Sequence, residues 1–597
     1  MPLDGAVARD EVSPEFLRGT VEHLCSLGEK VSGSSEEEKA CDYIVGQLRS
    51  YGYEPVVHTF ESYLSYPRST KLTIHAGGTS FELPAVGVSF GLSTPLGGAR
   101  AEVVLIGPGA TDADYAGKDV RGKIALVTKL PSPNNAMAAA NAGALGMICV
   151  SAGKQRHKMI ITPVWGTPEF DQHEKIPRVH VASVCRPDGE RIEAALGGEG
   201  RVEATLDCDV FEGWRKVRLP MAELKGAEDP FSVVGAHYCS WFDGSTDNVT
   251  GDACVLELAR VLKQFDGKLR YGLRFCWWPG HSHARYSGST WFADTFWHDI
   301  YENGIVYFNI DSPGVKGATV YVPRHQMAEV SEYNERMTTE ITGWATLKTS
   351  NAQLALGKRG DKYVSSTRPS RAADQSFWGI GLASMSVYSM LTPDDPNRDQ
   401  NVGGSGGAWW WHSEHETIDK FDAEILKQDT RLYASILLGL STADVLPFKL
   451  ADIAQDYLDS LREYDEAAGE VLPFNALMAE VEVFKADCVA FTERVQGLTD
   501  REATAAVNKL LLRVGRVLNP LLYQTCSPFE HDPALGSRAL PSLGPALRLK
   551  GMDKESDAYR FTVTGLIRRL NGVRHQVREA ARLVQAFDLQ ALDASTH

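Results

Sequence analysis

A chain of 597 residues is long enough to form several domains with large buried cores. Hydrophobic residues make up 43% of the chain and charged residues 23%, which are ordinary values for a soluble globular protein. The formal net charge of −16 argues against non-specific binding of nucleic acid, because such binding needs lysine and arginine to neutralise phosphates.

The sequence contains no sign of membrane insertion or of disulfide bonding. Its first residues lack the apolar core of a signal peptide, and no stretch of about 18 apolar residues could span a bilayer. The ten cysteines are scattered, and Cys149, Cys254 and Cys276 lie in apolar runs. We therefore expect a cytoplasmic protein with free buried thiols and with neither a nucleic-acid partner nor a membrane partner.

The first 206 residues predict two regions of different character. Residues 13–60 predict two helices and a strand, and the second helix starts with a serine cap and three glutamates, as helix N-termini often do. The pattern then changes to short β runs and one helix of small residues. The runs are at 101–106, 123–127 and 147–150, and the helix is at 136–144.

The stretch that follows carries the first candidate metal ligands. An apolar run at residues 231–236 predicts a buried strand that ends at His237. A polar loop then brings Asp247 to the start of a helical pattern at 253–262. Open α/β sheets place their sites at such strand ends, and imidazole and carboxylate suit zinc or a similar divalent ion.

Three further apolar runs predict central strands of the same sheet. They lie at residues 270–278, 304–310 and 382–390; Asp311 follows the second, and Asp374 lies in a helical stretch before the third. Strands that alternate with helical patterns predict a parallel or mixed sheet that is covered by helices on both faces.

After about Asp422 the pattern is helical. Two stretches carry apolar residues at steps of three and four, which predicts one buried stripe on each helix. The stripes are Leu477, Val481, Phe484, Cys488, Phe491 and Val495, and Leu566, Leu570, Val573, Val577, Ala580 and Val584. We interpret them as the core of a C-terminal helix bundle.

The motif GAHYCSWFDGSTDNVTG resembles the first metal motif of the co-catalytic zinc aminopeptidase family. The order of segments resembles the branch that includes glutamate carboxypeptidase II and the transferrin receptor. The sequence DYAGKDVRGKIALV, followed by AAANAGALGMICVS, is similar to the protease-associated domain that many members of this family carry. The resemblance covers nearly the whole chain.

This resemblance implies an α/β fold with an aminopeptidase-like mixed sheet covered by helices, a β-rich protease-associated insert and a C-terminal helical bundle. It also implies a homodimer that forms through the helical domain. The implied segments are 1–82 (start of the catalytic domain), 83–215 (insert), 216–425 (metal-binding catalytic domain) and 426–597 (helical domain).

The resemblance further implies a set of metal ligands. The family's usual arrangement gives one ion to His237, Asp247 and Asp311. It gives a second ion to Asp247, His283 and His412, so that Asp247 bridges the two ions. All five positions hold residues that can bind a metal.

The largest departure concerns two adjacent glutamates that the family uses as general base and metal ligand. When the motif is aligned on Gly288 and Ser289, Ser282 occupies the position of the general base, and His283 occupies the position of the metal ligand. A serine cannot accept a proton from metal-bound water. We expect His281 to act as the base, because imidazole titrates near neutrality and because alternate residues of an extended segment point to one side. If the alignment is shifted by one or two residues, the roles of His281 and His283 are exchanged.

Replacing a glutamate ligand by histidine also removes one negative charge. This favours one well-held ion with a weaker second ion, and it makes Fe, Mn, Co or Ni as suitable as Zn.

Other positions near the motifs also differ from the family. Cys239 replaces an aspartate two residues after the first histidine, Trp411 replaces a tyrosine, and His415 is additional. Asp374 matches an aspartate that normally supports the ligands without binding the metal. The aromatic run AWWWH predicts an aromatic-lined pocket. A basic loop could bind a substrate carboxylate or could simply be solvated: Lys358, Arg359, Lys362, Arg368 and Arg371.

Together these features predict a metal-dependent hydrolase with an altered, histidine-rich site that cleaves an amide or peptide C–N bond of a small substrate or peptide. Two alternatives remain open. One is a metalloenzyme of another class, such as a lyase or a metal-assisted rearrangement. The other is a non-catalytic dimer like the transferrin receptor. Intact ligand positions count against this last hypothesis, because random loss would affect ligands as readily as the base.

Overall fold

A computed structural model describes residues 5–344, 347–348, 357–359, 362–365, 369, 372–536 and 538–587. Three helices open this part of the chain: α1 (Gly5–Asp10), α2 (Pro14–Ser26) and α3 (Ser35–Ser50). The Ser34 hydroxyl caps α3 by accepting a hydrogen bond from the backbone N–H of Glu37. This confirms the predicted cap, and the acidic first turn also suits the positive end of the helix dipole.

The next region forms the insert and the two long strands that carry it. It contains β1 (Val56–Ala76), β2 (Thr79–Leu83), β3 (Val88–Ser89), β4 (Ala99–Gly107), α4 (Asp112–Tyr115), β5 (Ile124–Val127), α5 (Pro133–Asn141), β6 (Gly146–Val150), β7 (Met159–Ile160), α6 (Phe170–His173), β8 (His180–Val184), α7 (Arg186–Leu196) and β9 (Glu203–Leu224). Strands β1 and β9 pair antiparallel along almost their whole length. The expected boundary between 215 and 216 therefore lies inside β9, which continues into both regions.

The central region alternates strands and helices. Its elements are β10 (Phe231–His237), α8 (Thr250–Leu262), β11 (Gly272–Trp278), α9 (Ser287–Thr295), α10 (Trp297–Asn303), β12 (Gly304–Asn309), β13 (Val320–Arg324), α11 (Ala328–Thr342), β14 (Leu347–Lys348), β15 (Gly357–Arg359), β16 (Lys362–Ser365), β17 (Ala383–Met390) and α12 (Ala423–Thr442). Strands β14, β15 and β16 form a small separate sheet. The three predicted central strands correspond to β11, β12 and β17.

One twelve-stranded mixed sheet runs through the central region and the insert, in the order β13-β17-β12-β10-β11-β9-β4-β5-β6-β8. Off this path, β1 pairs with β9, and β2 pairs with β1. Strands β17, β12, β10 and β11 are mutually parallel, whereas β13 and β9 pair antiparallel with their neighbours. Every residue of β10 and β17 is buried. These observations confirm the predicted mixed sheet, and they bring the carboxyl ends of four parallel strands to one edge.

The C-terminal region is helical, with α13 (Leu450–Ala468), α14 (Phe474–Val495), α15 (Arg501–Tyr523) and α16 (Asp557–Gln585). All six apolar residues of the predicted stripe on α14 are buried, and so are all six on α16. Both stripes therefore belong to the core, as predicted. The expected boundary between 425 and 426 lies inside α12, which packs against α2 of the N-terminal segment and α8 of the central region.

Replacing Phe484 with alanine should lower the free energy of unfolding by about 3–5 kcal/mol, because this side chain is 1% exposed and fills the core under α14. The neighbouring Val483 is 58% exposed, so Val483→Ala is a matched control that should change stability by less than about 0.5 kcal/mol. Urea unfolding followed by far-ultraviolet circular dichroism measures both variants. Equal effects would contradict the assignment of this stripe to the core.

Candidate metal centre

Four candidate side chains meet at the carboxyl ends of the parallel strands. His237 is the last residue of β10, and Asp247 lies in the turn just before α8. Asp311 follows β12, and His412 lies in the loop after β17. Parallel strands end at the same edge of the sheet, so residues that are far apart in the sequence come together.

Asp247 lies at the centre of this group. Its Oδ1 is 2.9 Å from Nε2 of His237, and its Oδ2 is 2.9 Å from Nε2 of His412. The indole N–H of Trp411 also donates a hydrogen bond to Oδ2 at 2.6 Å. Burial opposes ionisation of Asp247, but its contacts with the two histidines outweigh burial and hold its pKa well below the ordinary value. The centre therefore contains a buried carboxylate.

The two histidines that contact Asp247 are held in the same way. Nδ1 of His237 donates to the backbone carbonyl of Cys239 at 2.9 Å, and Nδ1 of His412 donates to the carbonyl of Lys158 at 2.8 Å. A carbonyl can only accept, so each neutral ring carries its proton on Nδ1 and presents a lone pair at Nε2. Without a metal ion, a proton on Nε2 of His237 stabilises the contact with Asp247: burial lowers the pKa of His237, but the hydrogen bonds to Asp247 and Cys239 outweigh burial and raise that pKa well above its ordinary value. A metal ion can take the place of this proton. Metal-binding histidines typically have this arrangement.

His281 adds a third imidazole from the turn between β11 and α9. Its ring stacks on that of His237, with centroids 3.7 Å apart. Candidate ligand atoms of His237, His281 and Asp311 all lie within 4.8 Å of one another. Burial, with a smaller contribution from His237, lowers the pKa of His281 well below its ordinary value. Its buried Nδ1 has no hydrogen-bond partner among the described residues, so a neutral imidazole nitrogen is available to a metal.

His283 lies elsewhere. Its ring is fully buried and packs edge-on against Trp241, with centroids 4.3 Å apart. Its Nδ1 lies 3.4 Å from the backbone N–H of Ser32, which donates to it. The motif alignment on Gly288 and Ser289 assigned the metal to His283, and an extended segment would have put His281 on the same side as His283. Residues 281–285 instead form a turn, which separates the two rings. The structure brings His281 to Asp311, and it does not bring His283 there.

The other predicted site residues occupy varied positions. Ser282 and Trp411 line the cavity at the cluster. Asp374 is buried beneath the cavity, where burial raises its pKa to about 8 although the indole of Trp378 donates to it. His415 is exposed and does not line the cavity.

The predicted basic loop is only partly described. Arg368 and Arg371 lie outside the described residues. The side chains of Lys358, Arg359 and Lys362, on β15 and β16, are likewise not described.

Glu416 supports His412 and was not singled out from the sequence. Its Oε2 accepts a hydrogen bond from the backbone N–H of His412 at 2.8 Å, and its Oε1 accepts from the hydroxyls of Thr246 and Ser405. Burial, followed by repulsion from Asp247, raises its pKa to about 8. The Glu-Thr pair after the last histidine was the signal that could have identified it.

The insert contacts the centre directly. In addition to the bond from His412 to the Lys158 carbonyl, Nδ1 of His157 donates to the carbonyl of Trp411 at 2.6 Å. The Lys158 ammonium also pairs with Glu29 at 2.6 Å. The insert therefore fixes the loop that carries His412 as well as covering the cleft.

A cavity of about 560 Å³ opens in front of the cluster. Asp247, His281, Asp311 and His412 all line it. Aromatic side chains form much of the remaining wall: Trp241, Tyr286, Trp378, Tyr388 and Trp411.

The mixed sheet with a polar cluster at its parallel strand ends, together with the β-rich insert, agrees with the architecture that the sequence resemblance implied. Residues 221–437 match the model of Peptidase family M28, and residues 99–192 match the model of the PA domain. These matches confirm the resemblance predicted from the sequence motifs.

Individual relatives are distant. The probable glutamate carboxypeptidase VP8 of Zea mays is 24% identical over 347 residues, which are 48% of this chain and 48% of that protein. The aminopeptidase NAALADL1 of Rattus norvegicus is 24% identical over 341 residues, 52% of this chain and 44% of that protein. The chain thus spans about half the length of both relatives.

Among solved structures, BSAP, a zinc aminopeptidase from Bacillus subtilis, shares the fold. The TM-score is 0.52 at 20% identity, and the match covers 72% of this chain and 96% of that one. No helix in the described ranges is long and apolar enough to cross a membrane.

We expect His281→Ala to lose bound metal, because its free imidazole nitrogen lies beside His237 and Asp311. His283→Ala is the matched control from the same turn and should retain metal, since its ring packs away from the cluster. Elemental analysis after dialysis measures both variants. The opposite result would restore the ligand assignment that the sequence motif implies.

Proposed function

We propose that this chain is a metal-dependent hydrolase that cleaves an amide or peptide C–N bond. The observation that carries the proposal is Asp247, which lies between two histidines whose Nδ1 atoms are each held by a backbone carbonyl. This group lies within the region that matches peptidase family M28, and the relatives that the chain resembles carry peptidase names.

The donor atoms suit one strongly bound divalent ion. His237, Asp247, His281 and Asp311 would hold it, with two imidazoles and two carboxylates. A second ion would have only Asp247 and His412 from the family's set, so its affinity should be lower. The structurally similar BSAP is a zinc aminopeptidase, which favours zinc, and the imidazole-rich set also suits Fe, Mn, Co or Ni.

When bound, such an ion polarises a carbonyl and lowers the pKa of a bound water. The chain itself orients the ligands through the carbonyls of Cys239 and Lys158, and the cavity wall limits access of bulk water. Among the described lining residues, Asp247 and Asp311 are the only carboxylates, and both belong to the cluster. Proton transfer to the leaving amine therefore falls to an imidazole or a phenol instead of the family's glutamate.

This missing carboxylate is also the observation that favours the second candidate, a metalloenzyme of a different reaction class. A lyase or a rearrangement does not need a group that carries a proton from water to a leaving amine. The two candidates share the metal centre and differ in whether an amide bond is broken.

The test is a hydrolysis screen with metal-reconstituted protein on aminoacyl anilides, dipeptides and N-acyl amino acids. We expect release of amine that chelation abolishes and added ion restores. Asp247→Asn should lower turnover by at least about 100-fold. The exposed His415→Ala is the control and should leave turnover unchanged. Metal binding without hydrolysis across the panel would favour the second candidate, and a protein without metal would favour a non-catalytic role.

We also propose a homodimer that forms through the C-terminal helical region. The family's architecture supports this, and so do Phe561 (73% exposed) and Ile567 (46% exposed), which are apolar side chains on the outer side of α16. Light scattering at micromolar concentration should give twice the chain mass, and Phe561→Asp should shift the protein toward the monomer. A wild-type monomer would contradict this assembly.

A further inference from the structure

Arg324 places a positive charge on the wall of the cavity that contains the metal centre. It is the last residue of β13, and it stands opposite Ser386 in the antiparallel pairing with β17. Its guanidinium carbon lies 5.1 Å from the centre of the Tyr388 ring. Both side chains line the cavity together with His281 and Asp311. The charge is therefore carried by a rigid strand next to the reacting centre.

Apart from the Tyr388 ring, this guanidinium has no hydrogen-bond or ion-pair partner in the part of the chain that the structure describes. No carboxylate oxygen of the described residues lies within 4.0 Å of it, and it donates no hydrogen bond to any of them. Arg285, on the same cavity wall, instead donates to the carbonyls of Ile160 and Thr162. A guanidinium offers five N–H donors, and it is costly to leave them partly buried without an acceptor.

Nearby carboxyl groups do not neutralise Arg324. Burial raises the pKa of Asp374 to about 8, so this group is mostly uncharged at neutral pH. Burial lowers the pKa of Arg324 from its ordinary value, yet an arginine in a protein stays protonated. Asp311 belongs to the metal cluster.

The described part of the same wall offers a substrate ammonium group no carboxylate outside the metal cluster. The only carboxylates in the described lining, Asp247 and Asp311, face the cluster, where an ammonium would compete with the ion. An anion, in contrast, would meet an unpaired planar fork whose geometry matches the two oxygens of a carboxylate.

We propose that Arg324 binds a carboxylate of the substrate, so that the substrate is an N-acyl amino acid or a peptide that presents its C-terminal carboxylate, and not a free N-terminal amine. This inference rests on the proposed hydrolase function and names the substrate class for that site. The aromatic rings of Trp378 and Tyr388 on the same wall suit an apolar side chain beside the carboxylate.

The test compares two probes that differ only in charge: N-acetyl-L-phenylalanine and its neutral carboxamide. Isothermal titration calorimetry measures their binding to the metal-loaded protein. We expect the wild type to bind the acid at least about 10-fold more tightly than the carboxamide. Arg324→Met should weaken binding of the acid by about 10- to 100-fold and leave binding of the carboxamide nearly unchanged. Arg324→Lys should give an intermediate loss, since it keeps the charge without the fork.

Arg336→Met on α11 is the matched control, because this arginine is exposed and lies outside the cavity. It should bind both probes as the wild type does. Circular dichroism checks that each variant is folded, and Arg324→Gln replaces the methionine variant if that variant is not. Equal affinity of the wild type for both probes would overturn the proposal. A preference that survives in Arg324→Met but disappears on chelation would also overturn it, because the ion would then bind the carboxylate.

The binding assay does not require turnover, so its outcome is separate from that of the hydrolysis screen. A preference for the acid that depends on Arg324 supports the carboxylate site even if no amide is cleaved, in which case the hydrolase function fails alone. Hydrolysis without any preference for the acid would overturn the carboxylate site and leave the hydrolase function standing.

Discussion

The carboxylate of Asp247 lies 2.9 Å from the Nε2 atoms of both His237 and His412. Each imidazole is anchored through its other nitrogen to a backbone carbonyl, so neither ring can turn away from the carboxylate without losing a hydrogen bond. A buried carboxylate between two such rings is electrostatically stable when a cation is present. The remaining architecture of the central region can be understood as the means of holding these groups together.

The insert does more than cover the cleft, because it also holds one of the candidate ligands in place. The carbonyl that holds His412 belongs to Lys158 of the insert, and Arg285 of the central region donates to carbonyls of Ile160 and Thr162 in the same segment. These contacts join the two regions at the cavity, while β1 and β9 join them through the sheet. Because the Lys158 carbonyl holds His412, a change that displaces this segment of the insert should also displace that candidate ligand.

The sequence predicts the framework well because burial leaves a periodic signal. Apolar runs located β10, β11, β12 and β17, and steps of three and four located the buried faces of α14 and α16. The positions of His237, Asp247 and Asp311 at strand ends followed from the same pattern. The roles of His281 and His283 did not, because they came from the motif alignment. The prediction also assumed an extended segment, whereas these residues form a turn, in which alternate residues need not share a side. The carbonyl of Lys158 and the unpaired Arg324 leave no local signal, since each depends on which distant elements pack together.

Elemental analysis of the purified, metal-supplemented and dialysed protein tests the central claim most directly. We expect about one tightly held first-row ion per wild-type chain, and less than about a tenth of an equivalent in Asp247→Asn, because this carboxylate contacts His237 and His412 and lies at the centre of the cluster. Wild-type protein that retains no ion after supplementation would contradict it. So would an Asp247→Asn variant that binds as much metal as the wild type.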